Sequence, residues 1–178
     1  METIKQQEFL SWESALEMIQ RLQSQGKHRM ALLIGCECYL GVQLKHLLQL
    51  TWNDLIRKRQ AVFLDYNRPL PVDLRICDQL FEIAWNCYQK MDITDDTELC
   101  FIKENGDTIS ASDIQSELKT IHKNETPYLR ELSLATLRKT YGRRVILNFG
   151  NNNDMALITL SHCFNHRNVK MTKRFLGL

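Results

Sequence analysis

The side chains that could bind an anion are concentrated in the last third of the chain. Residues 119–178 carry eleven Lys and Arg against three acidic residues, a net charge of +8, whereas the first 118 residues have a net charge of −6. A basic segment of this strength favours an anionic partner, and nucleic acid is the leading candidate. The alternative is an ordinary solvated basic face of a helix.

The spacing of cysteine and histidine does not predict a metal site. Cys36 and Cys38 lie two residues apart in an apolar helical run, so their side chains diverge around the helix. His162 and His166 could share a helix face near Cys163, but no acidic or cysteine ligand is placed to complete a site. The sequence also lacks a glycine-rich phosphate loop and a Gly-x-Ser-x-Gly elbow. We therefore predict no metal and no cofactor.

Two segments of the last third carry a more specific pattern. The first reads Leu-Ala-Thr-Leu-Arg-Lys-Thr-Tyr-Gly over residues 134–142 and includes Arg138. The second begins Phe-Asn-His-Arg at residue 164 and places Phe175 nine residues after His166. The pattern resembles the catalytic domain of the tyrosine recombinases, the phage-integrase family. In that family a His-x-x-Arg element opens a helix, and a Gly-His or Asn-His element precedes the nucleophilic tyrosine by nine residues.

The first half of the chain carries the same resemblance in the expected order. The segment 33–55 is similar to the stretch that holds the family's first catalytic arginine, closes on Leu-x-Trp-x-Asp and leads into a β-hairpin. Here the closing pattern is Leu-Thr-Trp-Asn-Asp at residues 50–54. Residues 11–26 are similar to the helix that opens the domain. The resemblance therefore covers nearly the whole chain.

Three positions that are catalytic in the family hold other residues here. Gln43 replaces the first arginine, Ala135 replaces the histidine of His-x-x-Arg, and Phe175 replaces the nucleophilic tyrosine. The reaction needs a phenolate that attacks the phosphodiester and two arginines that stabilise the phosphate oxygens. Because phenylalanine has no oxygen and glutamine has no charge, the resemblance implies a domain with no intact catalytic set.

Other family positions are kept or altered less severely. Arg138 and His166 match the second arginine and the second histidine of the family. His46 stands where the family has Glu or Asp, and Arg68 is the nearest counterpart of a lysine in the hairpin. Plain structural roles are the alternatives: a solvated Arg138, a capping or packing His166, and a Phe175 that simply packs.

We expect a catalytically inactive recombinase-like domain that binds double-stranded DNA with no or weak sequence specificity, binds an active recombinase as a partner, or does both. Such a domain would regulate recombination or transcription of a mobile element. The expected phosphate-binding residues are Arg68, Arg138, Lys139, Arg143, His166, Arg167, Lys170 and Lys173. Two alternatives stay open: an active strand-exchange enzyme with Tyr141 or Tyr39 as nucleophile, and a protein-interaction module that does not bind DNA.

The elements that must position these residues are mainly helical. Hydrophobic periodicity and capping residues predict helices near 11–26, 28–39, 42–50, 73–91, 110–122, 134–149, 155–164 and 168–176. Apolar runs on either side of a turn predict a hairpin with strands at 61–64 and 70–72, and a third strand follows at 99–102. The predicted fold class is mainly α with a small antiparallel β-sheet.

Length and composition bound the remaining expectations. The 178 residues, 44% hydrophobic and 25% charged, predict one globular domain over 1–178. We expect it to lack the family's N-terminal DNA-clamping domain. Residues 1–6 contain no apolar signal core and no apolar run is long enough to cross a bilayer. The chain is therefore predicted to be cytoplasmic, or nucleoid-associated when it is bound to DNA, and to have no membrane partner. Because the cytosol is reducing, we expect the six cysteines to be free thiols.

Overall fold

The computed structural model describes residues 8–150 and 152–178, and it confirms a mainly helical fold with a two-stranded antiparallel sheet. A π-helical turn (Asn53–Lys58) precedes the hairpin strands β1 (Gln60–Phe63) and β2 (Val72–Arg75). The α-helices are α1 (Trp12–Ser24), α2 (His28–Leu40), α3 (Leu44–Leu47), α4 (Asp78–Lys90), α5 (Ala111–Glu125), α6 (Leu134–Asn148), α7 (Asn153–Phe164) and α8 (Val169–Leu176).

Polar caps fix the starts of the two helices that carry the basic motifs. At α6, Ser133 accepts a hydrogen bond from the Thr136 amide, and the Thr136 side chain bonds back to the Ser133 amide. At α8, the Asn168 side chain accepts from the Met171 amide. Each cap satisfies backbone groups that a helix leaves unpaired and contributes about 1 kcal/mol. The register of both helices is therefore set by local sequence.

Helix α2 is the centre of the fold and packs against α1, α4 and α6. Every residue from Met30 to Cys38 is buried, as expected of a helix that is apolar on all sides. Glu37 is buried among these apolar residues although it is acidic. The helix ends at Gly41, whose φ of 61° is left-handed and suits glycine.

The hairpin departs from its prediction at its second strand. The expected helical start over 73–77 is wrong, because Val72, Leu74 and Ile76 are buried while the residues between them are exposed. This alternation has the period of a strand rather than of a helix. Residues 72–75 therefore pair with β1, and α4 begins at Asp78.

Two other predicted elements are shorter than expected. The third strand is wrong: Leu99 forms one bridge with Thr51, and Ile102 forms one with Thr108. The chain turns at once after Ile102, where the Lys103 amide bonds to the carbonyl of Asp107, so no ladder can propagate. The helix expected over 42–50 is limited to α3.

The hydrophobic residues form two separate clusters. The larger contains α2 and the faces of α1, α4 and α5 that pack near it. The smaller, here called the C-terminal cluster, consists of Leu157, Leu160, Phe164 and Leu176, with Phe175 packed at its edge. Helix α6 contacts α2 on one side and α7 and α8 on the other, so it joins the two clusters.

Among the described residues, no helix is both long enough and apolar enough to cross a membrane. Residues 1–6, on which the expectation of a missing signal core rests, lie outside the described residues.

Gly41 is predicted to be required for stability. A Cβ atom at this position would lie 2.1 Å from the Tyr141 ring, and the left-handed φ adds strain. We expect Gly41→Ala to lower the free energy of unfolding by about 3 kcal/mol, measured by urea denaturation. The control is Gly26→Ala, which has a φ of 76° but no heavy atom within 4 Å. It should lose only about 1 kcal/mol, and equal losses would contradict the packing argument.

Candidate nucleic-acid interface

Arg138 lies where α6 faces both the end of α2 and the end of α7. Its Nε donates to the Gly41 carbonyl at 3.3 Å, and one terminal nitrogen donates to the Phe164 carbonyl at 3.5 Å. The guanidinium carbon lies 4.8 Å from the centre of the Phe164 ring and 5.8 Å from that of Phe175. A guanidinium has five N–H donors, so Arg138 keeps N–H groups that could bind an anion.

Gln43, which stands where the resemblance predicts the family's first arginine, lines the same pocket as Arg138. This pocket has a volume of about 400 Å³ and is here called the Arg138 pocket. Its full lining is Glu37, Gln43, Leu44, Lys45, Leu134, Ala135 and Arg138. The structure thus brings Gln43 and Ala135 together with Arg138. Because neither Gln43 nor Ala135 has a guanidinium, Arg138 supplies the one guanidinium among the described residues of the pocket.

His166 is held by a chain of three hydrogen bonds. The Ser161 hydroxyl donates to the Leu157 carbonyl at 2.8 Å, and its oxygen lies 2.8 Å from the Thr172 hydroxyl. The Thr172 oxygen in turn lies 2.9 Å from Nδ1 of His166. Since Ser161 uses its only proton on Leu157, Thr172 must donate to Ser161, and Nδ1 of His166 must donate to Thr172.

This assignment decides what His166 can bind. When the ring is neutral, Nε2 carries no proton and can only accept a hydrogen bond. A phosphate oxygen also only accepts, so His166 can bind phosphate only in its protonated form. Burial and the nearby charge of Arg138 lower the pKa of His166 below its ordinary value, which makes that form less populated at neutral pH.

Phe175 lies beside both retained residues. Its ring is 5.5 Å from the ring of His166 and 5.3 Å from that of Phe164, edge to face in both cases. The side chain is half-buried rather than enclosed in the main core. The residue that the sequence predicts at the position of the family's nucleophile is thus a hydrocarbon ring that packs against Arg138 and His166.

The hairpin loop is attached at both sides of the site. Arg68 donates to the carbonyls of His162 and Cys163 at the end of α7. On the other side, the Asp65 carboxylate lies 2.6 Å from the Lys45 ammonium and 3.2 Å from Nε2 of His46. The loop therefore borders a second pocket of about 560 Å³, whose lining includes His166. The N–H groups of Arg68 that donate to these backbone carbonyls are not available to bind a phosphate.

The remaining basic candidates divide into two groups. Arg143 donates to the Leu176 carbonyl at 2.7 Å and so caps α8, while Lys139 lies 3.3 Å from the Glu8 carboxylate. Arg167, Lys170 and Lys173 are exposed on α8 and the turn before it. Only the second group presents its charge mainly to solvent.

The two alternative nucleophiles are poorly placed for attack. The Tyr141 ring packs against Gly41, its hydroxyl is 3.6 Å from the Cys163 sulfur, and burial raises its pKa. Tyr39 packs edge to face on Trp12 at 4.8 Å, and burial raises the pKa of this tyrosine as well. A raised pKa disfavours the phenolate that would have to attack.

Metal-ligand side chains are scattered in the part of the chain that the structure describes. No group of three or more His, Cys, Asp or Glu there could hold a metal ion. Cys36 and Cys38 are both buried in α2, and burial raises the pKa of each thiol.

Sequence reasoning did not identify Glu37 as part of the site. Its side chain is fully buried, and neither carboxyl oxygen has a hydrogen-bond partner among the described residues. Burial raises the pKa of Glu37 to about 8, and the positive charge of Arg138 opposes part of this shift. The signal in the sequence was one acidic residue within an otherwise apolar run.

Several solved structures have a fold similar to that of this chain. XerA recombinase aligns over 96% of this chain and 58% of its own, with 16% identity and a TM-score of 0.71. The Tn1549 transposon integrase, in complex with transposon right end DNA, aligns over 98% of this chain and 63% of its own, with 17% identity and a TM-score of 0.64. The chain has the fold of a tyrosine recombinase catalytic domain.

XerH site-specific recombinase bound to difH substrate is a further match, with 16% identity and a TM-score of 0.63 over 98% of this chain and 51% of that one. The chain thus spans about half to three-fifths of these tyrosine recombinases. No protein-family model matches the sequence, and no curated protein matches it. At these identities the likeness establishes the tyrosine recombinase fold alone.

Glu37 is predicted to make stability depend on pH. In the unfolded chain its carboxyl ionises near the ordinary value of 4.5, whereas in the fold it stays neutral up to about 8. The stability that this group contributes is complete below pH 4.5 and is lost as the pH rises through 8. Between pH 5.5 and 8 the wild type should lose about 3 kcal/mol more than Glu37→Gln does.

Urea denaturation at the two pH values measures this difference. Glu117→Gln, which removes an exposed carboxylate, should follow the wild type. Parallel behaviour of Glu37→Gln and the wild type would show that Glu37 is ionised in the fold or is not buried.

Proposed function

We propose that this chain binds double-stranded DNA through the Arg138 side of the fold without cleaving it. The observation that carries the proposal is the convergence of Arg138, His166 and Phe175: the guanidinium of Arg138 and the ring of His166 both lie beside a phenylalanine ring that has no nucleophilic oxygen. XerH and the Tn1549 integrase, which share the fold, were solved with DNA. A domain that binds DNA sites or an active recombinase without reacting would regulate recombination or transcription of a mobile element.

Most of the binding energy is assigned to the exposed cations of the last third. Arg167, Lys170 and Lys173 are free to move onto phosphates, whereas Arg143 and Arg68 already donate to carbonyls. Contacts of this kind position a protein on DNA but do not read its sequence. We therefore propose weak sequence specificity and a strong dependence of affinity on salt.

Salt dependence tests the DNA-binding part of the proposal. About four to six phosphate contacts would make the affinity for a 20-base-pair duplex fall by roughly 0.9 log unit per contact for each log unit of salt. The double variant Lys170→Gln, Lys173→Gln should reduce the slope by about 2, measured by fluorescence anisotropy. A control that removes two exposed lysines of the acidic half, Lys27→Gln with Lys90→Gln, should leave the slope unchanged.

Two results would contradict this reading. Binding that cannot be detected at low salt would exclude a DNA-binding role. Equal effects of the two double variants would show that the C-terminal helix is not the contact surface.

Restoring the nucleophile alone should not restore cleavage. In Phe175→Tyr the new phenol would face a phosphate held by one arginine, and a missing preorganised donor costs on the order of 100- to 1000-fold in rate. We expect no covalent protein–DNA band on a denaturing gel after incubation with nicked duplexes. The variant that also carries Gln43→Arg and Ala135→His is the one expected to form a phosphotyrosine link.

The wild type is the control for the alternative nucleophiles. A covalent band from the wild type would overturn the inactive reading and direct attention to Tyr141 and Tyr39. A strong band from Phe175→Tyr alone would show that Gln43 and Ala135 are compatible with catalysis.

A further inference from the structure

Glu37 occupies the inner wall of the Arg138 pocket and has a feature that DNA binding does not explain. Both of its oxygens are buried and lack a hydrogen-bond partner among the described residues. The described ion pairs within 4 Å do not include one between Glu37 and Arg138. A buried carboxyl without partners is stable only if it carries a proton or if a cation compensates it.

Arg138 is the cation that can compensate Glu37, and it is also the cation that would bind a phosphate. The two side chains interact electrostatically, since each affects the pKa of the other. An ionised Glu37 would cancel the charge of Arg138 and would place a buried negative charge behind the phosphate. A neutral Glu37 leaves the charge of Arg138 available. Binding a phosphate in this pocket therefore costs more free energy when Glu37 is ionised than when it is neutral.

We propose that Glu37 is a positioning residue that makes anion binding at Arg138 depend on protonation: a DNA phosphate binds there only while Glu37 is neutral. When a phosphate arrives at an ionised site, one proton from solution joins a Glu37 carboxylate oxygen, and no other bond changes. The inference rests on the proposed function, because the anion in question is the DNA phosphate.

The charged and titratable groups around Glu37 come from few elements. From α6 the facing group is Arg138, and from α3 it is Lys45, which lines the same pocket and is already paired with Asp65. On α2 itself the neighbours are Cys36 and Cys38, whose pKa values Glu37 raises further. The core face of α1 is apolar and contains Ala15, Met18, Ile19 and Leu22.

Two further groups act electrostatically on Arg138. Cys163 on α7 and Arg68 in the hairpin loop both act on the pKa of Arg138. On α4, Cys87 acts on Cys36 rather than on Glu37. Burial and the charge of Arg138 lower the pKa of His166 from its ordinary value. Of these groups, the Cys163 thiol is the one that a control variant should remove.

The expected effect is a loss of DNA affinity as the pH rises from 7 to 9. Because burial raises the pKa of Glu37 to about 8, the neutral fraction falls about tenfold over this range, and the affinity should fall in proportion. Anisotropy titrations with a 20-base-pair duplex at constant ionic strength measure it. The wild type should weaken about tenfold, and Glu37→Gln, which is always neutral, should weaken less than twofold.

Proton uptake gives an independent readout that a merely structural role would not move. Calorimetry at pH 8 in buffers of different ionisation enthalpy should show about half a proton more taken up by the wild type than by Glu37→Gln. Both measurements are repeated with Cys163→Ser in each protein, which removes the thiol without changing the expected difference. If that substitution abolishes the difference, the thiol is the titrating group and the inference is wrong.

The outcomes separate this inference from the proposed function. If the wild type and Glu37→Gln bind DNA with the same pH profile and the same proton uptake, the role of Glu37 is overturned and DNA binding stands. If neither protein binds DNA at low salt at pH 7, the proposed function fails, and the inference fails with it. A tenfold loss of DNA affinity from pH 7 to 9 in the wild type, without such a loss in Glu37→Gln, supports both the inference and the proposed function.

Discussion

The arrangement of the site depends on the contacts of one side chain, Arg138. Its guanidinium donates to the carbonyl of Gly41 at the end of α2 and to the carbonyl of Phe164 at the end of α7. It also lies over the Phe164 ring. The main core and the C-terminal cluster are separate, and α6 is the helix that contacts both sides. Arg138 therefore links the ends of α2 and α7, and these contacts hold its own charge in position.

This double use has a chemical consequence. N–H groups that point to backbone carbonyls are aligned in advance, so the remaining donors of the guanidinium present a fixed direction to the pocket. Gln43 and Ala135 add no charge, so among the residues that the structure describes Arg138 is the one guanidinium that lines the pocket. Such a site can hold an anion, but it cannot surround a phosphate as two arginines would. This geometry supports the proposal that the chain binds DNA without cleaving it.

The sequence predicted the fold class, most helices and the family likeness, because those depend on periodicity, caps and the order of motifs. The helices predicted near 134–149 and 168–176 are present as α6 and α8, which begin after the caps Ser133 and Asn168. The failures have local physical causes. The alternation Val72, Leu74, Ile76 is a strand pattern that runs directly into α4, and the turn after Ile102 stops a third strand.

The site was predictable only in part. Arg138, His166 and Phe175 were identified from the resemblance to the tyrosine recombinases, and the structure brings them together. The sequence could not show that Arg143 and Arg68 donate to carbonyls, since those contacts join residues 33 to 95 positions apart. It also could not show that Glu37 and Arg138 line the same pocket, because their proximity depends on the packing of α2 on α6.

The most direct test of the account is a nuclear magnetic resonance titration of the isotope-labelled protein with a short duplex. The side-chain Nε–H signal of Arg138 is resolvable in principle from backbone amides and reports on the site itself. The account predicts that this signal shifts with the amides of residues 41–45 and 166–175, while the acidic stretch 92–117 stays unchanged. Shifts confined to the acidic stretch, or an unchanged Arg138 signal in a saturated complex, would contradict it.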